Sequence, residues 1–408
     1  MNIIVDALPV RRRSNARAWE SRLMNRHLRV WVAVLGMSLP SSMVLAQVVP
    51  TTNPAQVTLI TGLTRGTDGV TPEQRTEITT NLTAFLQIIV NGAPSSQTNA
   101  RRLLLSQLPA NKSTAGYSVP YLDTFASTVD QDIVALLKTK LPLRTKINLG
   151  VIAAEVAKGT DSYQLSNTAE TLLKDDQEAV ALWGAKAAKY VVPTYVKSLA
   201  GKKNTLLPQM VVTGTKFPGP VLWEIYEGLT LGSLGLAGNP RNVPAAKPQI
   251  AVVLPFLHDM LKARVATYGP AVPKEVMADA QGTSFLTLTW SFQSGAQQKQ
   301  SATIMRDMIT KGAPLYQPGN ADIIEMIKRV SSGLGVVAAV KAESDAIQQF
   351  NQSTPAPQVV AGVTALVTAL DASPLMAPPA GAPAVQNGPA SRPASGGSSP
   401  ASNLAVIK

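Results

Sequence analysis

Cysteine is missing from all 408 residues, which excludes disulfides, thiolate metal sites, cysteine nucleophiles and a lipid anchor on cysteine. Stability therefore has to come from packing. Aromatic residues make up only 5% of the chain, whereas sandwiches and barrels lean on aromatic and β-branched side chains. Histidine occurs twice, as His27 and His258, too few for a multi-histidine metal site. Charged residues are 15%, while 45% are hydrophobic, enough to bury one large core or two modest ones. With Ala, Leu and Val abundant, this balance predicts an all-α protein.

Residues 24 to 46 carry the three parts of a secretory signal. Arg26 and Arg29 form a basic start, Val30 to Leu39 an apolar run, and Val44, Leu45 and Ala46 a small-residue cleavage site. Cleavage between Ala46 and Gln47 would leave Gln47 first. The Arg-rich prefix Met1 to Leu23 has no apolar stripe, so Met24 is the expected true start. An uncleaved membrane anchor is the other reading, but the run is shorter than the roughly 20 residues a span needs and it meets Pro40. No later segment reads as a span. Removing residues 1–46 takes away seven arginines and two acids, which lowers the net charge from +12 to +7. An exported chain of this size without cysteine fits a bacterial envelope or periplasm better than a eukaryotic secretory route, where disulfides are common.

Residues 47–70 are rich in Thr, Pro and Gly without lasting period and read as a linker. A helix then opens with Thr71 as N-cap, Pro72 at its first position and Gln74 closing a capping box, and it ends at Asn91 and Gly92. Ile78, Leu82, Phe85 and Ile89 recur on one face of it. Further helices are predicted from about Ser96 to Leu108, through Tyr121 to Leu137, over Ile147 to Lys158, over Leu165 to Lys174, and from Gln177 to about Tyr190. Less regular helices follow, punctuated by prolines, up to a last one carrying Val359, Val363, Leu366 and Leu370. Of the 36 residues from Ser373 to Lys408, 25 are Pro, Ala, Gly or Ser, a composition that reads as a disordered tail. The expected divisions are 71–240, 241–372 and the tail 373–408.

Asp175, Asp176, Val180, Ala185 and Ala187 form an acidic turn followed by an Ala-rich helix, which resembles the second helix of a HEAT repeat. The match departs where Ala181 stands for the usual arginine after the valine, and where Ala188 and Lys189 stand for the usual Leu-Gly end. Weaker echoes align Leu149, Ala154, Val156 and Ala157 with Val180, Ala185, Ala187 and Ala188, and repeat Leu182 and Trp183 as Leu222 and Trp223. The resemblance implies an irregular α-solenoid of stacked helical hairpins, HEAT-like over 71–240. An irregular bundle with one Ala-rich helix is the alternative.

Motifs that carry chemistry are scarce. No Gly-x-Ser-x-Gly turn accompanies His258. Gly333, Gly335 and Ala338 have the spacing of a dinucleotide fingerprint, but the residues before them have helical period where that site needs a strand. Asp130 with Asp132, and Asp175 with Asp176, sit at helix faces or starts, where acids commonly cap or are solvated. Lys138, Lys140, Arg144 and Lys146, with Lys186, Lys189, Lys197, Lys202 and Lys203 further on, are the residues able to form a basic surface if their helices stack. No catalytic, cofactor or metal residues are assigned, and no aromatic-basic motif points to nucleic acid.

The expectation is a non-catalytic exported scaffold of the bacterial envelope whose partner is another protein or an anionic envelope polymer. Two alternatives come from other classes. One is an envelope carbohydrate-active enzyme using paired carboxylates, and the other is a structural component of a surface assembly.

Overall fold

A computed structural model describes residues 69–108, 118–199, 204–269 and 273–377. The signal segment with its Ala46–Gln47 junction, nearly all of the linker, Lys202, Lys203 and residues 378–408 of the tail lie outside the described residues. Everything described belongs to one compact unit, Thr52–Lys408. The described residues form fourteen α-helices and no β-strand.

The helices pair in order. The first hairpin is α1 (Pro72–Asn91) with α2 (Pro94–Leu105), and the second is α3 (Val119–Leu137) with α4 (Leu143–Thr160). Then come α5 (Ser166–Leu173) with α6 (Glu178–Ser198), and α7 (Leu206–Lys216) with α8 (Pro220–Leu229). The last two are α9 (Lys247–Ala266) with α10 (Val276–Leu288), and α11 (Gly295–Gly312) with α12 (Ala321–Val337). Two shorter elements, α13 (Lys341–Gln348) and α14 (Ala356–Asp371), complete the chain: α13 packs on α12, and α14 on α13 and α11.

Packing follows a simple rule. Each helix contacts its hairpin partner and the helix two places on, so α1, α3, α5, α7, α9 and α11 form one row and α2, α4, α6, α8, α10 and α12 the other. Substantial contacts join only helices one, two or three places apart. Hydrogen bonds repeat the rule: Thr83 to Asp132, Arg101 to Asn148, Thr213 to the Leu173 carbonyl, Tyr226 to Asp279 and His258 with Ser301 link residues 49, 47, 40, 53 and 43 positions apart. Every one of these crosses from a helix to the next in its row. The protein is thus an all-α stack of helical hairpins. The connection between α8 and α9 is built from three short 3-10 turns.

Local sequence accounts for the helix ends. At α1, Thr71 Oγ1 accepts from the Gln74 N–H at 3.3 Å and Gln74 Oε1 accepts from the Thr71 N–H at 2.9 Å, the reciprocal box expected there. Ser294 and Gln297 repeat it at α11. Two prolines lie inside helices. Pro193 lies inside α6, which runs on to Ser198, and Pro255 lies inside α9, which starts eight residues before it at Lys247. A proline removes one backbone bond and crowds the carbonyl four residues back. Packing of buried neighbours such as Val191, Val192, Val253 and Leu254 holds both helices through that loss.

Two glycines let α6 pack closely on its neighbours. Its inward face is Val180, Ala181, Gly184, Ala185, Ala187 and Ala188, all buried, against Ala153, Ala154 and Ala157 of α4. A Cβ on Gly150 would lie 2.7 Å from Trp183 Cβ, and one on Gly184 would lie 2.7 Å from the Leu173 backbone nitrogen. Only hydrogen at these two positions allows α6 to seat this closely on α4 and α5.

Candidate functional site

The most concentrated polar chemistry is buried where α8, α9 and α10 meet. Asp279 of α10 is wholly inaccessible, and Arg264 of α9 is 3% exposed. The guanidinium grips the carboxylate in two bonds, Nε to Oδ1 and Nη2 to Oδ2, both at 3.0 Å. Tyr226 donates to Oδ1 at 2.7 Å and Tyr268 to Oδ2 at 2.9 Å, and Arg264 Nη2 also reaches the Lys274 carbonyl at 2.6 Å. Burial pushes the Asp279 carboxyl upward, while Arg264 and the two phenols, all donors, pull it down. Burial and the adjacent carboxylate push both phenols above their ordinary value, which keeps them protonated and donating. Each oxygen of Asp279 thus accepts two bonds, and none is left for a ligand. This is a structural clamp.

A second buried chain runs from His258 of α9. Its Nε2 lies 2.8 Å from Ser301 Oγ on α11, Ser301 donates to Gln293 Oε1 at 2.8 Å, and Gln293 Nε2 donates to the Leu286 carbonyl at 2.8 Å. Because the serine proton goes to Gln293, the imidazole is the donor to Ser301, which fixes the Nε2–H tautomer. Burial first, then the nearby Lys262 charge, lowers the His258 pKa to about 4. A His–Ser pair at this distance is the start of a nucleophilic site. Here Ser301 is completely buried and His258 is 1% exposed, so no substrate reaches either.

The expected acidic pairs are separated in role. Asp130 is buried and accepts from Asn167 Nδ2 at 2.9 Å and the Thr168 N–H at 2.8 Å; burial raises its pKa against the pull of those donors. Asp132 accepts from Thr83. Asp175 holds Lys146, and Asp176 holds Lys216, each at 2.6 Å. Asp130 and Glu170 line one open groove of about 420 Å³ with Gln131, Val134, Asn167 and Thr171. Glu170 there receives Lys174 and Thr205, both at 2.5 Å. A second open groove of about 410 Å³ is lined by Ser284, Glu325, Lys328, Arg329, Ser332 and Gln348.

Of the basic residues singled out by sequence, Lys146 is paired with Asp175 and Lys189 with Glu224 at 2.6 Å. Burial pulls the Lys189 pKa down, and Glu224, with Tyr190 and Glu227, outweighs it and leaves it raised. Lys186 stacks over the Trp183 ring, 4.2 Å from its centroid. Lys138, Lys140 and Arg144 are exposed, with no ion-pair partner among the described residues. Six of the nine therefore split, three tied down along α4 and α6 and three without an ion pair among the described residues at the α3–α4 turn, while Lys197 is exposed at the end of α6. Gly333 and Gly335 lie within α12, where Gly335 comes up against Ser344 of α13, so they make a helix junction.

Arg264, Asp279, Tyr226 and Tyr268 were not singled out by sequence. Their signal was a charged residue inside an apolar face: Arg264 falls in step with Leu257, Met260 and Leu261, and a charge in such a stripe implies a buried partner.

Among the described residues no group of three or more His, Cys, Asp or Glu side chains is placed to hold a metal ion, and no helix is long and apolar enough to cross a membrane. Fold and buried chemistry together define a class, an all-α protein of stacked hairpins held by inward-facing polar clamps. No family model and no curated protein matches the chain.

Proposed function

We propose that this is an exported, non-catalytic helical-repeat scaffold, related in design to HEAT repeats, that holds another macromolecule, a protein or an anionic envelope polymer, on its surface. The observation that carries the reading is the stacking rule. The first helices of successive hairpins start at 72, 119, 166, 206, 247 and 295, so Val119 follows Pro72 by 47 positions and the next intervals are 47, 40, 41 and 48. HEAT and armadillo units repeat every 40–47 residues or so, and stacks of this kind serve extended binding surfaces. The internal echoes agree, since Leu182 and Leu222 stand on α6 and α8, successive members of one row. Cross-linking in intact cells with a tagged copy tests the proposal. One or a few reproducible partners support it, and their absence together with self-association on concentration points to the structural-assembly alternative.

A second reading, a carbohydrate-active enzyme, draws on Asp130 and Glu170 in one groove. It requires that Asp130→Asn abolish a polysaccharide hydrolysis that the native chain performs.

A further inference from the structure

The first two hairpins segregate charge between the rows. On α1 and α3 the charged residues are Glu73, Glu77, Asp123, Asp130 and Asp132 with Arg75 alone of opposite sign. On α2, α4 and the turn before α4 they are Arg101, Arg102, Lys138, Lys140, Arg144, Lys146 and Lys158 against Glu155 alone. Arg101 Nη1 donates to Asn148 Oδ1 at 2.8 Å, which sets the α2 cation beside α4, one turn from Arg144. Asp132 is turned to Thr83 and Asp130 to Asn167 and Thr168, and of the basic residues of this face Lys146 is the one held by an acid, Asp175, among the described residues.

The basic face ends in a turn of unusual chemistry, Lys138-Thr139-Lys140-Leu141-Pro142-Leu143-Arg144. Leu143 is 45% exposed between Lys140 and Arg144, all at the surface. An exposed leucine gains nothing from a hydrated polyanion or from water. It gains from an interface where apolar side chains enter the acyl boundary while flanking cations remain with phosphate. The turn has no aromatic residue on which a sugar would stack.

We propose that the α3–α4 turn docks the protein peripherally on an anionic phospholipid surface, with Leu143 entering the interface and Lys138, Lys140 and Arg144 holding the headgroups. This goes beyond the scaffold reading and does not depend on it. A chain that docks on lipid yet captures no partner would overturn the scaffold reading alone.

The absence of cysteine supplies the test. In the full chain, Leu143→Cys gives a unique site for an environment-sensitive fluorophore, and Val336→Cys, at a position on α12 that is 75% exposed, gives the control. With vesicles of 30% phosphatidylglycerol in phosphatidylcholine, the label at 143 is expected to brighten severalfold and shift to the blue. Pure phosphatidylcholine leaves it unchanged, and the label at 336 stays unchanged with either. Lys138→Ala, Lys140→Ala and Arg144→Ala together should raise the lipid concentration that gives the half-maximal response about a hundredfold, from roughly fivefold per cation near an anionic surface. The proposal is overturned if the label at 143 does not respond, if the label at 336 responds equally, or if the triple variant responds as the parent does. It is also overturned if polyglutamate, and not the vesicles, produces the response, which would assign the turn to an acidic protein.

Discussion

Replacing Asp279 by asparagine removes one charge from a solvent-inaccessible site with four donors. Arg264 would keep its guanidinium at 3% exposure without a counter-ion, and the two tyrosine hydroxyls and two guanidinium N–H groups would compete for a single amide oxygen while the new amide adds donors of its own. Breaking a buried pair by removing one partner costs about 3–5 kcal/mol, and a buried donor left unpaired about 1–3 kcal/mol. Since the amide oxygen retains part of the bonding, a loss of about 4 kcal/mol is expected, a large share of the roughly 5–15 kcal/mol that holds a folded protein. Urea unfolding followed by circular dichroism measures it. Hydrogen exchange should localise it, because the clamp ties α8, α9 and α10 and nothing beyond their neighbours: protection should fall across α8 to α12 and persist in α1 to α5. The double variant Asp279→Leu with Arg264→Met, which removes both charges, should lose less than Asp279→Asn. A loss below about 1 kcal/mol in Asp279→Asn, or a uniform fall in protection along the chain, would refute the reasoning.

The pH dependence of stability should carry a histidine component. His258 titrates near 4 when folded and near 6.5 when unfolded, so its contribution is complete above pH 6.5 and is lost as pH falls toward 4; the difference in stability between the native chain and His258→Gln should change by on the order of 3 kcal/mol across that window, and a constant difference would contradict it. Gly184→Ala should destabilise by about 1–3 kcal/mol in thermal unfolding, since the new Cβ meets backbone at Leu173; a stabilised variant would mean that helix propensity, worth about 1 kcal/mol, outweighs the contact. Ser294→Ala should cost about 1 kcal/mol by removing the α11 cap, read from the same melt.

Sequence patterns exposed what depends on neighbours along the chain. The capping box at Thr71, the apolar stripe through Ile78, Leu82, Phe85 and Ile89, and the alanine-rich face of α6 are all properties of a few consecutive turns, and each lies where its spacing placed it. The end of α6, expected near Tyr190, lies at Ser198 beyond Pro193, because proline penalises an isolated helix whereas a helix packed on two neighbours keeps its course. The clamp and the His258–Ser301 chain were illegible for a different reason: their members are separated by 7 to 53 positions, and no local period distinguishes a buried arginine from a solvated one until its carboxylate is found. The basic surface was half legible. Composition located the cations, but which of them are free depends on Asp175 and Glu224 arriving from other helices.

Because hairpins touch mainly those beside them, with α6 against α9 the one substantial contact that skips a hairpin, the first and last helices communicate through a series of interfaces in between. Such a molecule behaves mechanically as links in series. Tension applied between its ends would load each interface equally and part the weakest first, leaving the remaining links intact and able to reseat when the load is released. Elastic give of this sort belongs to the connectivity itself and would survive wholesale exchange of the residues on its surface.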